Sequence, residues 1–277
     1  IGEDVINMID FQPLTLADRD RCNQYLLDGA ERGCEYSFAN LYLWGRQRAA
    51  VVCGQLALFS QFNRRTVYPF PAGSGNKRCA LDAIIADARE RGIPCRITGL
   101  NQDNIAYIEK EYPGLFRFHC DRDSYDYVYD INDLADLKGR KYQKKRNHYN
   151  RFRDHFPYYT VEALSPENIS AVTDMAEHWY ADRLREDPHG DYHMEHSALR
   201  KALAHYAALG MDGLVLRDGS QILAFTLGSP LSDNTFDIHF EKAREDVDGA
   251  YTVVNQEFAR YLRLKYPDIL YIDREDD

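Results

Sequence analysis

The same order of elements is written into this chain twice, and that repetition constrains its fold more than composition does. Residues 49–53 and 56–60 are apolar runs around a Gly54-Gln55 turn, and Thr66 to Phe70 reads as a third strand. The Gly-rich loop 71–75 opens a helix from about Lys77 to Arg91, and Cys95 to Thr98 returns as a strand. The second half repeats this with Gly213 to Arg217, an Asp218-Gly219 turn, Ile222 to Leu227, Thr235 to Phe240, a helix from Ala250 to Lys265 and a strand at Ile269 to Ile272. Side-chain identity between the two halves is low, so the inference rests on element order. It predicts an α+β chain of two related units, with mixed, mostly antiparallel sheets and flanking helices.

At 277 residues the chain suits two cores better than one. We place the first unit at 8–130 and the second at 131–277, with Met8 reading as a native start. Helices are also expected from Leu16 to Ala30, stopped by Gly29 and Gly33, and at 101–111, 167–186 and 195–209. Strands are expected near 116–119 and 125–129. The aromatic stretch from Glu35 to Trp44 reads as core.

A basic segment, 138–153, joins the two units. It holds eight of the 34 Lys and Arg residues and no acid, in a chain of net charge −10. At helical spacing Tyr142, Tyr149, Phe152 and Phe156 form an apolar line, while Arg140, Lys144, Lys145, His148 and Arg151 turn outward. Two readings stay open. The segment is either a solvated face balancing acidic neighbours or an anion site for phosphates, where Lys supplies point charges and Arg bidentate forks.

Six cysteines fall in the first half with no C-x-x-C pair, so a zinc site or disulfide ladder is not expected, and runs such as Val51-Val-Cys53 suggest buried, reduced thiols. No run approaches the length of a membrane span and no signal-peptide pattern opens the chain, which reads as cytoplasmic. Net acidity argues against a general nucleic-acid coat but permits one focused contact. There is no G-x-G-x-x-G, P-loop or G-x-S-x-G, so dehydrogenase, kinase and triad-hydrolase readings drop away. The loop 71–75 before a helix is a weak phosphate-site signal.

Chemistry is most concentrated in the strand 236–241. Strict alternation puts Phe236, Ile238 and Phe240 on one face and Asp237, His239 and Glu241 on the other. In a cleft, carboxylates flanking an imidazole would raise one pKa toward general-base duty; facing water, they would be only the outer side of a sheet. The following helix brings Tyr251, a candidate proton donor, and Asn255 to the same edge. His189, His193 and His196 have zinc-like spacing, but Pro188 and Gly190 break a common helical face, so a surface loop is the preferred reading and no metal site is expected.

Four stretches together resemble a known family: Glu35-Tyr-Ser-Phe-Ala-Asn-Leu-Tyr-Leu-Trp44, Lys138-Gly-Arg-Lys-Tyr-Gln-Lys-Lys-Arg-Asn147, Gly249-Ala-Tyr-Thr-Val-Val-Asn255 and Tyr271-Ile-Asp-Arg-Glu-Asp276. The chain resembles bacterial proteins related to the C-terminal domain of phosphatidylglycerol lysyltransferase, from about Met8 to Asp277. The resemblance implies two tandem GNAT-like (acyl-CoA N-acyltransferase) domains, similar also to Fem-type aminoacyltransferases, whose characterised members move an aminoacyl group from charged tRNA to a lipid or peptide. It implies an acyl- or aminoacyltransferase to an amine or hydroxyl, with Asp237, His239, Glu241 and Tyr251 as catalytic candidates. Lys138, Arg140, Lys141, Lys144, Lys145, Arg146, Asn255 and Arg274 become candidates for holding an aminoacyl-tRNA or another phosphate-bearing donor. The alternative is a non-catalytic module of the same fold that binds RNA or a membrane surface peripherally through the basic helix.

The usual pyrophosphate loop of GNAT enzymes is replaced here by Glu241-Lys-Ala-Arg-Glu-Asp-Val-Asp-Gly-Ala250. Its Glu241, Glu245, Asp246 and Asp248 would repel a pyrophosphate, which disfavours acyl-CoA, and no tightly bound cofactor is expected. Relatives also tend to carry Asn where Asp273 stands.

Overall fold

Side-chain caps and glycines decide where the helices begin. Asn76 and Asn101 each accept a backbone N–H three residues on, from Cys79 and Asn104 at 3.0 and 2.8 Å, and so open two helices of the first half. Gly249, at φ +86°, turns the chain into the last long helix. The computed structural model describes residues 8–27, 33–44, 47–62, 65–122 and 125–275. The expected stop at Gly29, the residues before Met8 and Asp276 lie outside them.

The chain divides into two units, 1–124 and 125–277. The first runs β1 (Gln12–Pro13), α1 (Arg19–Leu26), α2 (Phe38–Leu43), β2 (Arg48–Val52), β3 (Gln55–Phe62), β4 (Arg65–Pro69), α3 (Lys77–Glu90), β5 (Ile97–Thr98) and α4 (Gln102–Glu111). Its sheet has the order β1-β2-β3-β4-β5, antiparallel throughout except for the parallel pair β4 and β5. Ile84 and Ala88 place one face of α3 against Ala57 and Tyr68 of the sheet, and Leu81 packs with Phe70 just after β4. Within the Glu35 to Trp44 stretch, Tyr36, Phe38, Leu41 and Leu43 are buried, as expected. The strand expected at 116–119 does not form; that segment is irregular.

One expectation is overturned here. Cys53 and Cys79 form a disulfide, because the hairpin turn after β2 lies against the first turn of α3. Gln55 reinforces that closure, donating through Nε2 to the carbonyls of Gly73 and Gly75 at 2.9 Å each. Gly75 is obligatory, since a Cβ there would lie 2.3 Å from the Gly54 carbonyl oxygen.

The second unit runs β6 (Tyr127–Asp130), α5 (Ile131–Asp136), α6 (Gln143–His155), β7 (Thr160–Ala163), α7 (Ile169–Glu186), α8 (His193–His205), β8 (Asp212–Asp218), β9 (Gln221–Pro230), β10 (Thr235–Ala243), α9 (Ala250–Lys265) and β11 (Tyr271–Arg274). Its sheet order is β6-β11-β10-β9-β8-β7, again antiparallel but for one parallel pair, β10 with β11. Antiparallel strands, a helix and a returning parallel strand thus occur in both units, the tandem GNAT-like arrangement the resemblance implied. Val253, Val254, Phe258, Ala259 and Leu262 bury α9 against Leu214, Leu216, Phe236 and Ile272. Among the described residues no helix is long and apolar enough to cross a membrane.

Candidate active site

The site is shaped by two features of β10. First, β11 pairs with Thr235 to Ile238, and among the described residues the edge of β10 beyond Ile238 has no strand partner on that side. Second, the register with β9 shifts between Ile238 and Phe240: Ile238 faces Gly228 and Phe240 faces Leu227, which leaves His239 as the extra residue of a bulge. A bulge resets alternation. Asp237 shares a face with its partner Ser229, whereas Glu241 shares the opposite face with Thr226. The expectation that Asp237, His239 and Glu241 lie on one face is therefore incorrect, and two separate clusters form.

On the face covered by α9, the side chain of Glu241 is 6 % exposed. Its carboxylate accepts from Arg274 Nη2 at 3.1 Å and from Asn255 Nδ2 at 3.4 Å. Arg274 reaches it because β11 runs parallel to β10 and puts Arg274 beside Ile238 on that face. Burial pushes the Glu241 carboxyl above the usual carboxylate range, against the pull of Arg274, Asn255 and Lys145. Lys145, from α6, has its ammonium 6.0 Å from the Tyr129 ring centroid. Burial, then the charge of Arg274, lowers its pKa. Tyr251, in the first turn of α9, has its hydroxyl raised first by desolvation, with Glu241 adding to it.

On the opposite face, Asp237 is completely buried, and neither of its carboxylate oxygens has a hydrogen-bond partner within geometric limits among the described residues. His239 Nδ1 lies 3.5 Å from Asp237 Oδ2 and 2.8 Å from Glu275 Oε1, and its Nε2 lies 2.8 Å from Ser229 Oγ. Asp273 on β11 sits beside Asp237 in register and is 1 % exposed. Burial raises the Asp237 carboxyl well above its ordinary range, and the negative charges of Glu275, Asp273 and Asp126 add to it. Sequence reasoning missed Glu275 and Ser229. Glu275 was visible in the motif that follows β11, while Ser229 carries no signal without the register.

The basic segment divides into roles that charge alone did not separate. A 3-10 turn, Arg140–Tyr142, precedes α6, and Tyr142, Tyr149, Phe152 and Phe156 pack inward as expected. Lys145 does not turn outward: it sits three residues after Tyr142 and four before Tyr149, on the apolar stripe itself. Arg146 is held by the turn, donating from Nη1 to the carbonyls of Leu137 and Gly139 and from Nη2 to Gln143. Lys138 pairs with Asp136 at 3.0 Å and Lys141 with Asp133 at 2.7 Å. Arg140 and Lys144 are exposed, and among the described residues neither has an ion-pair partner.

The loop after β10 is less bare than its composition suggests. Glu245 pairs with Arg183, Asp246 with Arg244 at 2.6 Å, and Asp248 with both His148 at 2.8 Å and Arg151 at 3.2 Å. With Glu241 held by Arg274, all four acids of the stretch 241–250 have cationic partners, which weakens the repulsion expected from sequence. The histidine-rich stretch leads into α8, where His196 bonds Glu177 at 3.0 Å and stacks on the Tyr180 ring at 4.3 Å. The loop 71–75 leads to an α3 N-terminus whose capping acceptor is Asn76.

The family described as phosphatidylglycerol lysyltransferase, C-terminal, matches residues 28–270. A conserved protein of unknown function from Bacteroides thetaiotaomicron has 36 % identity and a TM-score of 0.90, over 98 % of this chain and 91 % of that one. The C-terminal domain of a putative lysylphosphatidylglycerol synthetase from Agrobacterium fabrum has 14 % identity and a TM-score of 0.65, over 95 % and 79 %. The L-PGS of Bacillus licheniformis has 14 % identity and a TM-score of 0.63, over 92 % and 75 %. The last two are alike in fold. No curated protein matches the chain in sequence.

Proposed function

The chain belongs to the family of phosphatidylglycerol lysyltransferase C-terminal domains, and from that premise we propose that it is an aminoacyltransferase, moving an aminoacyl group from charged tRNA to an amine or hydroxyl acceptor. The observation that carries this reading is Glu241, buried at the open edge of β10 and held by Arg274 and Asn255 beside the half-buried ammonium of Lys145.

In the proposed reaction Glu241 takes the proton of the attacking amine or hydroxyl as it adds to the ester carbonyl of the donor. The developing oxyanion is met by backbone N–H groups on the unpaired edge of β10 and by the charge of Lys145 and Arg274. Collapse expels the tRNA ribose oxygen, which takes a proton from Tyr251 or from protonated Glu241. Arg140 and Lys144, without an ion-pair partner among the described residues, hold donor phosphates. Asp237 and His239 lie on the other face and have no part in these steps. The reading needs no tightly bound cofactor, and it places the protein where charged tRNA is made, in the cytoplasm, with at most peripheral membrane contact.

The test is transfer of radiolabelled amino acids from charged total bacterial tRNA, with phosphatidylglycerol vesicles or a peptide amine as acceptor. Label moving into one acceptor, and slowed at least about a hundredfold by Glu241→Gln, is the expected result. Turnover of acetyl-CoA instead would make the protein an ordinary acyltransferase. Salt-sensitive tRNA binding without any discharge would make it the non-catalytic module.

A further inference from the structure

The face of β10 away from α9 carries a second cluster that the proposed reaction does not use. One ligand atom from each of Asp237, His239 and Glu275 lies within 4.8 Å of the other two, from the strand, its bulge and the residue after β11. Two of the three sides measure 2.8 and 3.5 Å. An ion with bonds of about 2.0–2.2 Å at tetrahedral angles needs its ligands about 3.3–3.6 Å apart, so only a small opening on the Glu275 side is required.

The second observation is independent of that spacing. Asp237 is 0 % exposed, among the described residues neither of its oxygens has a hydrogen-bond partner, and it is aimed at the imidazole. Burying a carboxylate without a donor is costly, and Asp273 adds a second buried carboxylate beside it in the parallel register. Across the cluster Ser229 Oγ meets His239 Nε2 at 2.8 Å. In the tautomer that carries its proton on Nε2, Ser229 accepts that proton and the Nδ1 lone pair is directed at the two carboxylates, the outer-shell arrangement common to metal-binding histidines.

We propose that Asp237, His239 and Glu275 bind one divalent first-row transition-metal ion, which ties the end of β11 to the bulge of β10. One imidazole with two carboxylates suits zinc or manganese better than an all-oxygen site suited to magnesium or calcium. The ion offsets the buried negative charge and fixes the point from which β10 and β11 part. The site is separate from the Glu241 cluster, so its failure leaves the proposed transfer reaction standing, and the reverse also holds.

The experiment is calorimetric titration of the chelator-treated full chain with Zn²⁺ and Mn²⁺, with Mg²⁺ and Ca²⁺ as oxygen-ligand controls. The visible spectrum of bound Co²⁺ is the second readout. One ion per chain is expected, with affinity weakened at least about tenfold by Asp237→Asn or Glu275→Gln and also weakened by Ser229→Ala. Glu275 is the least buried of the three, so Glu275→Gln keeps the test valid if Asp237→Asn does not fold. No binding of Zn²⁺ or Mn²⁺ by the parent chain, equal binding by the Asp237 and Glu275 variants, or binding of Mg²⁺ and Ca²⁺ alone would each overturn the proposal.

Discussion

Asp237 and Glu241 lie four residues apart in one strand and yet face opposite sides of the sheet, because the bulge at His239 inserts one residue between them. An even spacing in a regular strand would have put both carboxylates on one face. The bulge instead gives Glu241 to the cationic side and leaves Asp237 with His239 and Glu275. Replacing Glu241 by Gln should keep an acceptor for Arg274 and so preserve the fold while removing the proton acceptor. Transfer should fall at least about a hundredfold with the unfolding midpoint little changed. A variant with unaltered turnover would remove Glu241 from the mechanism.

The cations of the 138–153 segment should separate in a tRNA-binding assay. Arg140 and Lys144 are exposed and unpaired among the described residues, whereas Lys138 and Lys141 already hold Asp136 and Asp133. Arg140→Ala and Lys144→Ala should each weaken binding and lower the slope of log affinity against log salt by about one. Lys138→Ala and Lys141→Ala should change that slope less. Equal slopes for all four would mean that the internal pairs do not withhold those charges.

Much of this arrangement was legible in the sequence. The bounds of α9, the two hairpins and the returning strand of each unit follow from periodicity and turn residues, which are local. The bulge was not legible, since no glycine or proline marks His239 and its cause is pairing with β9. The Cys53–Cys79 disulfide was missed for a similar reason: it depends on a turn and a helix start meeting in space. Lys145 is different. Its spacing from Tyr142, Tyr149 and Phe152 already placed it on the apolar stripe, and its charge hid the pattern.

Acid should loosen the junction of α7 and α8 only at a pH where most surface carboxylates are already protonated. Glu177 accepts from Arg200 Nε at 2.6 Å and contacts His196 at 3.0 Å, and Arg200 leads in lowering its pKa from 4.5 to about 2. With the folded value below the unfolded one, the unfolded chain binds the proton more tightly. The stabilisation is therefore present above pH 4.5 and lost as pH falls toward about 2. Unfolding midpoints across this window should drop more steeply for the parent chain than for Glu177→Gln. Identical slopes would show that the pair contributes nothing to stability.

The disulfide gives a test confined to the first unit. Closing a loop between residues 26 apart should stabilise that unit by about 3 kcal/mol through the unfolded chain. Urea unfolding in reductant, or of Cys53→Ser, should show a lower midpoint for the first unit, while Cys120→Ser, at an exposed thiol outside the disulfide, should not. A midpoint insensitive to reductant would show that the bond is not formed in solution or does not constrain the chain.

Two glycines with the same sign of φ should differ sharply when replaced. Gly219, at φ +56° in the β8–β9 turn, has open space where a Cβ would be added, so Gly219→Ala meets only the left-handed backbone cost of about 1–2 kcal/mol. Gly249, at φ +86°, would place its Cβ 2.6 Å from the His148 carbonyl oxygen and 3.1 Å from the Phe152 Cβ. Either α6 or the start of α9 must then move, and with it Lys145 on one helix and Asn255 on the other. Gly249→Ala should cost more than about 3 kcal/mol in denaturant unfolding and should also depress transfer, because both helices contribute to the Glu241 cluster. Equal losses for the two variants would mean that the contact between α6 and the α9 N-terminus is loose enough to absorb a methyl group.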